Sequence, residues 1–397
     1  MPVLSDKVMN LPESPIRKLV HFADQAKAKG VRIYHLNIGQ PDIAAPEECS
    51  DIIQKSDLKL LPYGSSEGSL KFRKSLCSYY SKNDIDVNPE SIIATTGASE
   101  AVAFTLNSIC DAGDEIIIPE PFYANYSGFA AASSINVIPV VSLFEDQFCL
   151  PAIEEIESKV TNKTKGILIC NPSNPTGYLY SKKEIEALGD LALKYDIFLI
   201  VDEVYREFIH DDHTKHYSVL QSEKLNDHAV MIDSVSKRYS LCGARVGCMV
   251  TRNKALIKNA LKFAHLRLSP ATYALMASEA AINSDVSYLN EVKKEYTARK
   301  NTLIDALKKI PGVRVSDPKG AFYCIAELPV DDAEVFAKWL LTDFRYENET
   351  VMFAPAAGFY STPGFGKKQI RIGFVLNERD LLRSAEILEK ALIAYSN

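Results

Sequence analysis

The chain has 397 residues, 47% of them hydrophobic and 24% charged, and a net charge of −6. That length exceeds one small core and calls for two domains of ordinary globular composition. The negative balance and the lack of a Lys/Arg cluster argue against a nucleic-acid surface, and no apolar run reaches membrane-spanning length.

Residues 1–19 lack a basic stretch followed by an apolar one, so no signal peptide is expected. Cys49, Cys77, Cys110, Cys149, Cys170, Cys242, Cys248 and Cys324 are scattered and form no CxxC pair. Several sit in apolar runs, where a thiol behaves as a small hydrophobe, and the expectation is reduced cysteines in the cytoplasm.

Ser14-Pro15 predicts an N-cap with proline at the first helical position, opening a helix that runs to Lys29 and ends at Gly30. A strand over 32–37 leads to Gly39-Gln40-Pro41-Asp42, a tight turn. Gly39 is either a plain turn glycine or a point where the backbone approaches a ligand. Tyr63-Gly64 and Gly68 punctuate an extended stretch before a helix over 69–82.

From residue 90 short apolar runs alternate with helical stretches. The runs are 91–94, 115–118, 137–141, 166–170, 197–201, 229–232 and 246–250, and the helices include 100–111 and 182–194. Continuous apolarity implies strands buried on both faces, hence an α/β fold with a mostly parallel seven-stranded sheet covered by helices. Beyond residue 285 the texture changes, with a long charged helix over 287–309 leading to the segments 312–315, 320–323 and 333–341. The run Gln369-Ile370-Arg371-Ile372 and a helix over 378–394 close the chain. This half reads as a smaller α+β domain that the N-terminal segment joins. The expected division is 1–47 (arm and part of the small domain), 48–284 (large domain) and 285–397 (small domain).

In such sheets ligands bind at the carboxyl ends of the strands, and the notable residues fall there. Lys237 follows the apolar run 229–232, with Ser234 and Ser236 before it and Arg245 after it. An ammonium beside a core is costly unless its chemistry changes, for example by imine formation with an aldehyde cofactor. The plainer alternative is a loop with solvated basic residues. Asp202 ends the run 197–201 and Tyr205 follows it. The aspartate either caps a helical turn or pins a protonated ring nitrogen. Asn171-Pro-Ser-Asn174-Pro-Thr-Gly177 is a turn-rich loop in which Asn174 is a candidate donor. Gly97-Ala98-Ser99 precedes a helix expected from Glu100, whose first N–H groups suit a phosphate.

Taken in order, Gly39–Asp42 (GxPD), Asn171–Gly177 (NPxNPTG), Asp202–Tyr205 (DExY) and Ser234–Lys237 (SxSK) with Arg245 eight residues on resemble a fold-type I pyridoxal-phosphate aminotransferase of the class I/II group. The resemblance covers nearly the whole chain. It implies pyridoxal 5'-phosphate joined to Lys237, paired with Asp202 at its ring nitrogen, and bonded by Tyr205 and Asn174 at its phenolate oxygen. It implies a phosphate held by the Gly97-Ala98-Ser99 turn, Ser234, Ser236 and Arg245, and a ring stacked on Tyr123. Arg371, with Asn174 and the Gly39 amide, would grip the substrate α-carboxylate. Tyr63 would reach the phosphate of a neighbouring subunit, implying a homodimer with shared active sites.

The implied activity is ping-pong transfer of an amino group between an L-amino acid and 2-oxoglutarate, with aspartate favoured. Alanine, methionine or aromatic donors, or carbon–sulfur lyase chemistry, are the alternatives. Some related aspartate aminotransferases carry a lysine for the distal carboxylate where Ser99 stands here. Arg267 is then either a substitute acting from the partner subunit or a surface charge. Ser234-x-x-Lys237 also fits the start of a serine acyl-enzyme motif, but its Ser-Asp-Asn and Lys-Thr-Gly companions are missing. His210, His213 and His216 with Asp211, Asp212 and Lys215 between them read as a solvated loop, since their spacing without cysteine makes a poor zinc signature.

Overall fold

The computed structural model describes residues 2–9, 11–211 and 213–395. Strand β1 (Arg32–His35) is followed by seven strands that form one sheet. These are β2 (Ile92–Thr95), β3 (Glu115–Glu120), β4 (Asn136–Val141), β5 (Thr164–Cys170), β6 (Phe198–Asp202), β7 (Ala229–Ser234) and β8 (Gly247–Val250). Their order is β2-β8-β7-β6-β5-β3-β4; β8 pairs antiparallel with both β2 and β7, and the other pairs are parallel.

The continuous apolarity of these strands serves two cores at once. Successive residues alternate faces. Ile116, Leu168, Ile200, Val230 and Ile232 enter one core, while Ile117, Ile167, Ile169, Leu199, Val201 and Met231 enter the other. Helices complete each layer. The helix Lys182–Tyr195 buries Ile185, Leu188, Leu191 and Ala192 along one face. Its start is fixed by a capping box of Ser181 and Glu184, a motif whose loss costs about 1 kcal/mol.

The C-terminal part adds β9 (Arg314–Val315), β10 (Tyr323–Glu327), β11 (Glu349–Met352), β12 (Ala354–Pro355) and β13 (Gln369–Gly373). Strands β12, β13, β10 and β9 form an antiparallel sheet in that order. β1 pairs in parallel with β11, so the N-terminal segment does join the C-terminal third. The helices Ser287–Leu307 and Glu378–Tyr395 pack on one another beside it. Among the described residues no helix is long and apolar enough to cross a membrane.

Three local expectations need correction. The first regular helix after residue 14 is Val20–Ala28, not 14–29. Residues 14–19 form turns instead, because Pro15 is buried against Gly358 and Asn37 Nδ2 donates to the Ile16 carbonyl at 3.0 Å. The strand expected over 32–37 stops at His35. The helix expected from Glu100 starts three residues earlier, at Gly97, whose φ of +73° breaks cleanly from the strand before it.

Candidate active site

Parallel pairing places Cys170, Asp202 and Ile232 level with one another at the carboxyl ends of β5, β6 and β7. The residues just beyond them line a cavity of about 790 Å³. Its wall includes Ala98, Ser99, Tyr123, Asn174, Asp202, Tyr205, Ser234, Ser236, Lys237, Arg245 and Arg371, and also the Gly39 turn. Residues separated by more than 300 positions thus meet in one place.

Lys237 stands on a single helical turn, Val235–Arg238, that follows β7 directly. The turn is anchored from below by a buried ion pair between Arg238 and Asp233, and Asp233 also accepts from Tyr80 Oη at 2.7 Å. Lys237 is half-buried and donates to the Gly39 carbonyl at 2.7 Å. Burial lowers its ammonium below the usual lysine range, with the Arg371 and Arg245 charges adding to the effect and Cys242 opposing it. A solvated basic loop does not describe this residue.

Asp202 is buried, and its Oδ2 accepts from Tyr126 Oη at 2.7 Å while Oδ1 accepts the Val204 N–H at 3.3 Å. Burial pushes its carboxyl up to about 6 although both hydrogen bonds pull the other way. The contact with Val204 is the cap expected of an aspartate here, but no helix follows, because residues 204–207 form a turn. Tyr205 Oη lies 3.0 Å from Tyr323 Oη, and both rings are buried.

Arg371 comes from β13 and is only 1% exposed. Its Nη1 donates to Asn174 Oδ1 at 3.0 Å and its Nη2 to the Asn37 carbonyl at 2.5 Å, while Nε has no partner. The guanidinium lies 4.4 Å from the Tyr323 ring centroid and 5.0 Å from that of Phe359. A buried charge with an unsatisfied donor at a cavity wall is set up for an anion. Since Asn174 turns its oxygen to Arg371, its NH₂ is left as the donor for a ligand.

The Gly97 turn and Arg245 form the other end. A Cβ at Gly97 would come within 2.4 Å of Arg245 Nη2, so only glycine lets the guanidinium lie against this helix start. Arg245 Nη1 donates to the Cys242 carbonyl at 3.0 Å. Ser234 Oγ lies 2.7 Å from the Val246 carbonyl oxygen and 2.8 Å from Ser236 Oγ. Asn125 Nδ2 donates to Tyr123 Oη at 2.8 Å.

Two sequence candidates stand apart from this cavity. Tyr63 is 82% exposed and does not line it. Arg267 Nη2 donates to the carbonyls of Ser66 and Ala94 at 2.9 and 3.1 Å, and the side chain is mostly buried, so it is not a surface charge. The solvated histidine loop is also corrected. His210 is bound between Ala321 O at 2.7 Å and Thr297 Oγ1 at 3.2 Å, and His216 lies 3.1 Å from the Asn171 carbonyl. Burial lowers His210 to about 4 and takes His216 well below its usual range. Asp212 lies outside the described residues, and His213 is exposed. Conversely, the sequence reading missed Asn37, Tyr126, Cys242 and Tyr323. Tyr126 follows Tyr123 by one helical turn, and Tyr323 follows the Gly320 turn, but neither spacing shows which carboxylate or phenol it meets.

The family model described as aminotransferase class I and II matches residues 32–388. An aspartate aminotransferase of Thermotoga maritima is 31% identical over 96% of this chain and 98% of its own length. One from Bacillus subtilis is 30% identical over 96% of each. Among solved structures, an alanine aminotransferase from Pyrococcus furiosus superposes with a TM-score of 0.90 at 28% identity, over 99% of this chain and all of that one. With this cavity at the carboxyl ends of its sheet and that match across nearly its whole length, the chain belongs to the aminotransferase class I and II family.

Proposed function

We propose that this aminotransferase holds pyridoxal 5'-phosphate in the cavity and moves an amino group between an L-amino acid, aspartate favoured, and 2-oxoglutarate. The observation that carries the reading is the convergence of a desolvated lysine, a buried carboxylate and a buried, part-satisfied arginine on one cavity. These residue types fit the cofactor group by group. Lys237 suits the aldehyde, Asp202 the ring nitrogen, and Tyr205 with the Asn174 NH₂ the phenolate oxygen. Arg245, Ser234, Ser236 and the Gly97-Ala98-Ser99 turn suit the phosphate, and Tyr123 the ring face.

When bound, the pyridine ring supplies an electron sink for the pair left by the substrate Cα–H bond. The chain's own groups do the rest. Lys237, with its ammonium destabilised by burial, moves a proton at Nζ as general base and acid. Asp202 holds the charge of the ring nitrogen. Arg371 grips the α-carboxylate through a planar fork, with Asn174 fixing its orientation, and so sets which Cα bond is broken.

The relatives named aspartate aminotransferase support the preferred donor. Exposed apolar side chains at Leu60, Leu61, Tyr63 and Leu266 support a homodimer in which Tyr63 completes the partner's site. Eight free cysteines suit a reducing cytoplasm. The working division remains 1–47, 48–284 and 285–397, supported by the pairing of β1 with β11. Screening amino donors with 2-oxoglutarate tests the reading. Aspartate should head the series, and ammonia with pyruvate released from cysteine conjugates, without amino transfer, would make the protein a lyase instead.

A further inference from the structure

The cavity has more positive charge than cofactor and α-carboxylate need. Its lining carries four cations, Arg17, Lys237, Arg245 and Arg371, against the single carboxylate of Asp202. On the functional reading above, Lys237 takes the aldehyde, Arg245 the phosphate and Arg371 the α-carboxylate. Arg17 is left over. Its neighbour Lys18 is paired with Glu334, but among the described residues no hydrogen bond or ion pair engages the Arg17 guanidinium. Arg17 is exposed where it lines the cavity, and an unpartnered guanidinium there is available to a substrate anion.

The backbone that carries Arg17 is tied to the one that carries Arg371. Asn37, itself buried, donates from Nδ2 to the Ile16 carbonyl at 3.0 Å and accepts at its own carbonyl from Arg371 Nη2 at 2.5 Å. Pro15 packs on Gly358 so closely that a Cβ there would come within 2.5 Å of it. Ile16 packs against the cluster containing Phe359, the ring that also flanks Arg371. The backbone at Arg17 is therefore held by contacts it shares with Arg371. Both charges act on Tyr123, whose phenol they draw down against the rise caused by burial.

We propose that Arg17 reads the distal carboxylate of a dicarboxylic substrate, working with Arg371 as a pair of cations spaced by Asn37. This rests on the aminotransferase reading and names its substrate class from the residues of one chain, with no contribution from Arg267. Arginine suits the task because its fork binds a carboxylate in two places.

The test uses the cofactor-loaded wild type, Arg17→Gln and Arg17→Lys. Half-reactions with aspartate and alanine are followed by cofactor absorbance, and binding of maleate and propionate by calorimetry. In Arg17→Gln, kcat/KM for aspartate should fall about 100-fold further than kcat/KM for alanine, and maleate should lose its advantage over propionate. Arg17→Lys should recover part of both. Equal losses for the two donors would show that Arg17 only orders the arm and would overturn the proposal. So would an unchanged maleate preference in Arg17→Gln. Failure of the underlying reading is distinguishable, because the wild type would then take up no pyridoxal phosphate, and this proposal would fall with it.

Discussion

Asp202→Asn separates a cofactor carboxylate from a structural cap. The wild-type carboxyl is moved from its ordinary 3.8 to about 6 by burial. At 1.36 kcal/mol per pH unit this corresponds to roughly 3 kcal/mol. Between those two values the folded chain holds a proton that the unfolded chain has released, so stability falls as pH rises through that window. The cofactor-free protein therefore carries the whole penalty at pH 8 and little of it below pH 4. Asparagine removes the charge and keeps an oxygen for the Val204 N–H, while its NH₂ replaces Oδ2 and donates to Tyr126 Oη, which must turn from donor to acceptor; these weaker neutral contacts cost about 1 kcal/mol. The net expectation is a cofactor-free variant about 2 kcal/mol more stable than wild type at pH 8, the difference narrowing at pH 5. Thermal or urea unfolding of the cofactor-free proteins at both pH values measures it. The same variant should bind the cofactor more weakly, having lost the partner for its ring nitrogen. An Asp202→Asn protein that is less stable at pH 8 would refute this reasoning and reduce Asp202 to a cap on the turn at Val204.

Three other substitutions probe the remaining wall. Arg371→Gln should lower kcat/KM for every donor by about 10²-fold or more, since truncating a buried charge contact costs about 2–5 kcal/mol; a loss confined to one donor would contradict its α-carboxylate role. Gly39→Ala places a Cβ 1.5 Å from the buried Tyr323 Oη, which must shift and break its 3.0 Å contact with Tyr205. Overpacking of that size costs about 1–3 kcal/mol, and steady-state kinetics should show KM raised for all donors. Arg267→Ala strips hydrogen bonds from the Ser66 and Ala94 carbonyls, so unfolding should report a loss of about 1–3 kcal/mol. Aspartate and alanine turnover should change equally, and a selective loss for aspartate would return Arg267 to the substrate site.

Much of this arrangement was legible in the chain because the local signals and the long-range fold agree. All seven apolar runs became strands of one sheet, since residues buried on both faces leave little choice of secondary structure. The loop residues beyond those strands met because parallel pairing puts their carboxyl ends on one side. What stayed hidden depends on contacts across the fold. The helix expected at Ser14 gave way to turns because Pro15 docks on Gly358, more than 340 residues away. β11 and β12 are too short to show a period, and β11 exists through its pairing with β1. Tyr126 and Tyr323 carry no motif that announces a buried acceptor. In the sequence Arg267 reads as either a substrate contact or a surface charge because nothing in its neighbours reveals the carbonyls of Ser66 and Ala94.

Everything proposed here depends on Lys237 being the residue that takes the cofactor. The most direct measurement is borohydride reduction of the protein loaded with pyridoxal phosphate, followed by proteolysis and mass mapping. The account predicts one reduced cofactor per chain, attached to Lys237, and no attachment in Lys237→Ala, which should also lose amino transfer by several orders of magnitude. Cofactor fixed on another lysine, or a wild type that takes up none, would contradict it.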